Sequence, residues 1–334
     1  MPSEKPVDWI FPENLDQALA ELATGSAGLI AGGTTVVDLF KLGHSMPARL
    51  VDISRLPLNG LVRSNGAVQI GAMVSNTELA ESELIKSLFP ALSQAVLQGA
   101  SQQIRNAASV GGNLLQATRC VYFRSREWRC NRRQPGSGCQ AIDGPTPSHA
   151  VLGGSSACIA VNPSDMAVAL LALDATVNAV SCSQSAISIP LSNFYPLPDQ
   201  TPHITSNLPA HAVITSVIVP VTVLAQNSRY LKLRGRASYE FATASVAAAL
   251  RLEDGVVAEL SVALGGMGTK PWRCKQAEAS LIGRTPTDRS IDDFCDQLLN
   301  GAITTPVTSH KVTLARGAVR KIILGLSGKS NEDR

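Results

Sequence analysis

The sequence predicts an α+β chain of two domains. Three observations carry this. The chain has 334 residues, 45% of them hydrophobic, which suits two cored domains of roughly 100–200 residues each. Helix-like and strand-like segments succeed one another without a regular βαβ alternation. A junction at Pro220 to Asn227 divides the chain into residues 1–222 and 223–334.

The elements follow in order. Asn14 to Ala23 reads as a helix, with Asn14 as its cap, Gln17 in capping-box position and Gly25 to end it. Gly28 to Ala31 is a short apolar run suited to a buried strand. It stops at Gly32-Gly33-Thr34-Thr35, and Val36 to Phe40 reads as helix. Arg49 to Ile53 and Val68 to Ala72 are strand candidates. Thr77 to Gln98 reads as mostly helical, broken at Pro90. A polar stretch, Gly99 to Asn106, leads to a second glycine pair, Val110-Gly111-Gly112-Asn113.

From Thr118 to Ser156 no periodicity is found, and a loop this long inside a domain is usually functional. Regular structure is expected to resume at Ala157 to Val161. Pro163-Ser164-Asp165 opens a helix over Met166 to Ala172, and strands follow at 175–181, 186–189 and 212–219. Beyond the junction the pattern predicts strand 229–234, helix 241–250, strand 256–264, and helices near 275–283, 288–299 and 310–326.

Composition excludes several functions. A net charge of +3 is no footprint for nucleic acid. No run of 18 apolar residues occurs, so no membrane span is expected, and the start lacks the basic and apolar regions of a secretory signal. Charged residues are only 16%, against about a quarter in typical domains. That suits a surface covered by partners, or one rich in uncharged polar residues. No G-x-G-x-x-G, H-E-x-x-H or G-x-S-x-G occurs. Gly265 to Lys270 fails as a phosphate loop because Thr269 separates the last glycine from the lysine.

Seven cysteines in a chain without a signal argue against a disulfide framework. Cys120, Cys130, Cys139 and Cys158 share the aperiodic segment, spaced C-x9-C-x8-C-x18-C. That is neither a zinc-module nor a ferredoxin pattern, yet four thiolates on one loop can close around a cubane cluster or a zinc ion. Arg119, Arg124, Arg126, Arg129, Arg132 and Arg133 surround them, with Glu127 the one acid between 119 and 133. These arginines would offset a negative cluster, face an acidic partner, or simply be solvated. His149 is an alternative ligand. Cys182, Cys274 and Cys295 read as buried free thiols, and His44, His203, His211 and His310 have no companions at catalytic spacing. The glycine pairs permit close approach of a ligand to bare backbone, and their N–H groups can nest an anion such as a pyrophosphate at a helix start. Each pair alone also fits an ordinary turn.

Taken together, Ile30-Ala-Gly-Gly-Thr34, Arg105-Asn106 leading to Val110-Gly-Gly-Asn-Leu114, Pro163-Ser-Asp165 followed by Ala169-Leu-Leu-Ala-Leu173, and Tyr230-Leu-Lys232 with Arg236 give a resemblance over nearly the whole chain. It resembles the FAD-binding subunits of molybdenum hydroxylases, the xanthine dehydrogenase and aldehyde oxidoreductase group. The cysteine segment is inserted between two of these motifs. Thr118-Arg-Cys120, Cys130-Asn131, Pro135-Gly-Ser-Gly-Cys139 and Ala157-Cys-Ile-Ala160 are most similar to the loop of the [4Fe-4S]-containing FAD subunits of bacterial periplasmic aldehyde oxidoreductases.

The resemblance implies a PCMH-type FAD-binding domain of two subdomains over 1–222, with an iron–sulfur loop at 117–160, and a CO-dehydrogenase-flavoprotein-type C-terminal domain over 223–334. It implies FAD contacts at Gly28, Leu29, Ile30, Ala31, Gly32, Gly33, Thr34, Thr35 and Val36, at Ser109, Gly112 and Asn113, and at Asp165 and Lys232, with Ile214 packing near the flavin. Relatives commonly carry Asn or Asp at the place of Thr35. The cofactors implied are FAD and one [4Fe-4S] cluster on Cys120, Cys130, Cys139 and Cys158. The partners implied are a large molybdenum-cofactor subunit, a small [2Fe-2S] subunit and an external electron acceptor. No catalytic residue of substrate oxidation is expected in this chain. It would be cytoplasmic, or periplasmic if a partner with a twin-arginine signal carries it. The rival readings are the FAD subunit of a 4-hydroxybenzoyl-CoA reductase-like enzyme, a stand-alone flavin oxidase, and a zinc-stapled binding module.

Overall fold

Among the described residues the strands form three separate sheets. The computed structural model describes residues 7–44, 47–183 and 185–328, so residues 1–6 and 329–334 of the expected domain spans lie outside the described residues. The first sheet is parallel, β1 (Asp8–Ile10), β2 (Ala27–Ile30) and β3 (Arg49–Asp52), in the order β1-β3-β2. The second is antiparallel, β4 (Leu61–Ser64), β5 (Ala67–Gly71), β6 (Thr176–Val180), β7 (Ala186–Pro190) and β8 (Val213–Pro220), in the order β4-β5-β8-β6-β7. The third holds β9 (Ser228–Leu233), β10 (Ala244–Glu253), β11 (Val256–Gly265) and β12 (Trp272–Arg273), in the order β12-β11-β10-β9. The α+β class therefore holds.

Asn14 caps helix Leu15–Ala23 as expected, its side chain accepting from the Gln17 N–H at 3.0 Å. Gln17 closes the turn one residue earlier than a capping box would, accepting from the Glu13 N–H at 2.8 Å. The helical stretch before Gln98 is three helices, Asn76–Glu81, Glu83–Leu88 and Pro90–Leu97. Pro90 starts the last one, where its missing N–H costs nothing. Ser82, in extended conformation, makes the break that sequence did not show. The polar stretch contains a helix too, Gln102–Ala107, capped by Ser101.

Two expected elements are not found, and of the three thiols expected to be buried only Cys295 is, Cys182 and Cys274 being half-buried. Residues 241–250 are not a helix: 244–250 belong to β10, the strand between β9 and β11. Its alanines favour a helix locally, but they are small enough to let helices pack on both faces of the sheet, and this burial overrides propensity. Helix Ser309–Leu326 covers one face; helices Pro90–Leu97 and Asp165–Ala172 reach the other. Ala157 to Val161 forms neither helix nor strand. Its carbonyls are taken by the loop instead, Ile159 O by Ala150 N at 2.9 Å and Val161 O by Thr118 Oγ1 at 2.9 Å.

Helix Asp165–Ala172, buried along its whole length, centres the largest core. The third sheet is tied to that helix by Arg273, which donates to Leu171 O and Asp174 at 2.9 Å and pairs with buried Glu278 at 2.7 Å. Among the described residues no helix is long and apolar enough to cross a membrane.

Candidate functional site

Both glycine turns stand on the same cleft, and each glycine has its own reason. Gly33 adopts φ +70°, and a Cβ on Gly32 would lie 1.6 Å from Ala107 O, so Gly32 packs on the backbone that leads into the second turn. In the second turn Ser109 caps helix Val110–Leu114 by accepting from the Gly112 N–H at 3.2 Å. Gly111 packs on Ala72, whereas a Cβ on Gly112 would meet only Ser109 Oγ, at 3.1 Å. Gly112 is therefore the open position of this turn.

Asn113 extends the site. Its Oδ1 accepts from Ser164 Oγ at 2.7 Å, and Ser164 caps the helix that Asp165 begins. Asp165 accepts from Lys232 Nζ at 2.7 Å and from the Tyr230 hydroxyl at 2.5 Å. Lys232 also donates to Gln98 O at 3.1 Å. Burial pushes the Asp165 carboxyl above its usual range, against the opposing pull of Lys232 and Tyr230.

A cavity of about 340 Å³ is lined by Thr34, Thr35, Gly112, Asn113, Asp165 and Lys232. It meets a second of about 140 Å³, lined by Leu29, Ala31, Gly32, Gly33, Thr34, Thr35, Val36, Ser109, Gly112 and Ile214. A third, of about 440 Å³, shares Arg119 and Asp165 with the first and is lined further by Cys120 and His149. Two of the expected contacts stand apart from these walls. Gly28 packs under the Pro47 ring, and Ile30 is a buried core residue. Asn76, Gln116, Tyr239 and Phe241 also line the 340 Å³ cavity, and no local pattern in the sequence marks them; Arg119, marked in sequence only as part of the cysteine segment, lines it too.

The cysteine segment is ordered by its own polar bonds. Cys130 and Cys139 face each other in an isolated antiparallel bridge, closed by Pro135-Gly-Ser-Gly138, whose glycines adopt φ +83° and +90°. Asn131 accepts from Gly138 N at 2.7 Å and donates to Ala157 O at 3.1 Å. Cys120, Cys130, Cys139 and Cys158 all border one small cavity. Cys120 Sγ lies 3.2 Å from His149 Nε2, and buried Lys311 holds the His149 carbonyl at 2.7 Å. Burial pushes the Cys120 thiol up to about 11, and the Cys139 thiol up as well. Among the described residues no three His, Cys, Asp or Glu are placed to hold a metal ion.

The arginines of this segment mostly face inward. Arg119 and Arg124 share Asp38, at 2.9 and 2.7 Å, which ties the segment to helix Val36–Lys41 beyond the first glycine turn. Arg133 donates to the carbonyls of Tyr122, Phe123 and Trp128. Arg129 pairs with Asp143, and Arg132 borders the thiol cavity with its buried Nε unpartnered. A solvated basic loop does not describe this segment.

A sequence profile described as "FAD binding domain in molybdopterin dehydrogenase" matches residues 5–222, and one described as "CO dehydrogenase flavoprotein C-terminal domain" matches residues 229–324. The chain belongs to this family, the molybdenum hydroxylase flavoproteins. It is 41% identical over 309 residues to the aldehyde oxidoreductase FAD-binding subunit PaoB of Escherichia coli K12, covering 92% of this chain and 94% of that protein. It is 26% identical to the glyceraldehyde dehydrogenase medium chain of Sulfolobus acidocaldarius, covering 87% and 86%. Quinoline 2-oxidoreductase from Pseudomonas putida 86 shares the fold, with a TM-score of 0.74 at 20% identity over 97% of this chain and 98% of that one.

The cofactor of a molybdenum hydroxylase flavoprotein of this kind is FAD, and the cleft fits one. It offers bare backbone at Gly112, a buried cation–carboxylate pair, and the unpartnered buried Oδ1 of Asn76. No His or Cys lines the 340 and 140 Å³ cavities, so no side chain there is set to link a flavin covalently.

Proposed function

We propose that this chain is the electron-transfer subunit of a molybdenum-dependent aldehyde oxidoreductase, taking electrons from [2Fe-2S] clusters of a small subunit onto FAD and passing them to an external acceptor. A large subunit would hold the molybdenum cofactor and oxidise the substrate. The observation that carries the reading is the convergence of both glycine turns, Asp165 and Lys232 on one cleft, in a chain 41% identical over 92% of its length to an aldehyde oxidoreductase FAD-binding subunit. Residues 1–222 would be the FAD-binding domain and 223–334 the C-terminal domain.

FAD, when bound, supplies the redox chemistry, and the protein supplies binding, orientation and electrostatics. The two glycine turns would hold the pyrophosphate, their bare backbone at Gly33 and Gly112 letting it approach closely. Lys232, fixed by Asp165 and Gln98 O, would present its ammonium to one side of the cleft, and Ile214 would offer an apolar wall. Cys120, Cys130, Cys139 and Cys158 would hold a [4Fe-4S] cluster. The donor set suits it, since four thiols share one cavity and burial keeps Cys120 and Cys139 protonated unless a cation compensates.

The test uses the full chain purified alone. It should bind FAD, and the flavin should stay oxidised with aldehyde under anaerobic conditions while dithionite reduces it. Adding the large and small subunits should allow reduction by aldehyde. Bleaching of the flavin by aldehyde without those subunits would sink the reading.

A further inference from the structure

We infer that Asn76 is an FAD-binding residue, its side-chain oxygen accepting a hydrogen bond from the dinucleotide. The inference rests on the reading of the cleft as the FAD site. Asn76 opens helix Asn76–Glu81 directly after the cap Ser75, which bridges to Ser109 of the second glycine turn. Its backbone N–H is bonded to Ala108 O at 2.8 Å. The residue is 5% exposed, yet Oδ1 has no partner. Beside it the wall of the 340 Å³ cavity is apolar, with Ala95, Val96, Ile104 and Ala108.

A buried acceptor without a partner destabilises the folded chain, and such groups are uncommon unless something else satisfies them. A leucine here would pack on the same wall at no such cost. Asn76 is thus a poor choice for the empty fold and a good one for a ligand that carries a donor. FAD phosphates carry no donor. The bond must come from a sugar hydroxyl or from an N–H on one of its two ring systems. That fits Ala95, Val96, Ile104 and Ala108, apolar residues that line the same cavity as Asn76.

The experiment compares the full chain with Asn76→Leu and Asn76→Ala. Each is stripped of flavin and titrated with FAD, and the melting temperature of each is read with and without FAD. Both variants should bind FAD about tenfold more weakly, the size of one hydrogen bond. The flavin-free Asn76→Leu protein should melt no lower than the parent. FAD affinity within twofold of the parent in either variant overturns the inference, and a lowered flavin-free melting temperature with unchanged affinity assigns Asn76 to the fold alone. Asn76→Ala adds no bulk to the cleft, so its weaker binding is not a steric effect. A parent chain that takes up no FAD brings down the reading of the cleft itself, and the inference with it.

Discussion

Asp165 and Lys232 lie 67 residues apart in sequence and meet at 2.7 Å, with side chains 8% and 1% exposed. One opens the helix at the centre of the largest core and the other lies in β9, so the pair joins the FAD-binding segment to the third sheet. Removing one partner of a buried pair leaves an uncompensated charge, which costs far more than the pair itself contributes. Lys232→Met should therefore lower stability by about 3–5 kcal/mol in chemical denaturation of the flavin-free chain. The double variant Asp165→Asn, Lys232→Met should recover much of that loss. Equal destabilisation in the single and double variants would contradict this account.

Asp38 gives stability a pH dependence. Partial burial pushes its carboxyl up, but Arg124 and Arg119 outweigh this and hold it below its ordinary value. A depressed carboxyl contributes stability that is present above its unfolded value of about 3.9 and is lost as pH falls through the lower folded value. The melting temperature should accordingly fall more steeply on acidification, from about pH 5 downward, in the parent than in Asp38→Asn. Parallel curves would show that Asp38 does not anchor the cysteine segment.

The glycines separate fold from binding. A Cβ on Gly32 would meet the Ala107 carbonyl at 1.6 Å, so Gly32→Ala should destabilise the flavin-free chain by about 1–3 kcal/mol or more. A Cβ on Gly112 meets only Ser109 Oγ, so Gly112→Val should keep the fold and lose FAD. Flavin content per folded chain measures the second effect. In the parent, acid precipitation should release the flavin to the supernatant, since no His or Cys lines those two cavities. Flavin retained in the pellet would point to a covalent link.

How much of this was legible depends on whether the signal is local. The glycine turns, Asp165 and Lys232 carry motifs, and the cap at Asn14 follows from residue type, so sequence located them. Residues 244–250 misled because alanine favours a helix locally, while the fold places them between two strands. The arginines were visible as charges, but their partners, Asp38 and the carbonyls of Tyr122, Phe123 and Trp128, are set by tertiary structure. Asn76 was invisible because an Asn after a Ser cap is unremarkable; only its burial and its missing partner single it out.

The four thiols on one cavity yield the last prediction. Cys130 and Cys139 face each other across an isolated antiparallel bridge, Cys120 precedes the short helix Val121–Arg124, and Cys158 lies beyond Ser155, which accepts from its N–H at 3.3 Å. Burial raises the thiols at Cys120 and Cys139, so an empty site would keep them protonated, and only a strongly bound cation would draw out the thiolates. A four-iron cluster is larger than one ion and takes its thiolates from a wider perimeter. Chain purified anaerobically should contain about four iron and four sulfide, by the stoichiometry of Cys₄-ligated clusters. Cys139→Ser combined with Cys158→Ser should lose most of that iron while retaining FAD, because neither cysteine lines the 340 or 140 Å³ cavity. Zinc in place of iron, or full iron in the double variant, would refute the cluster.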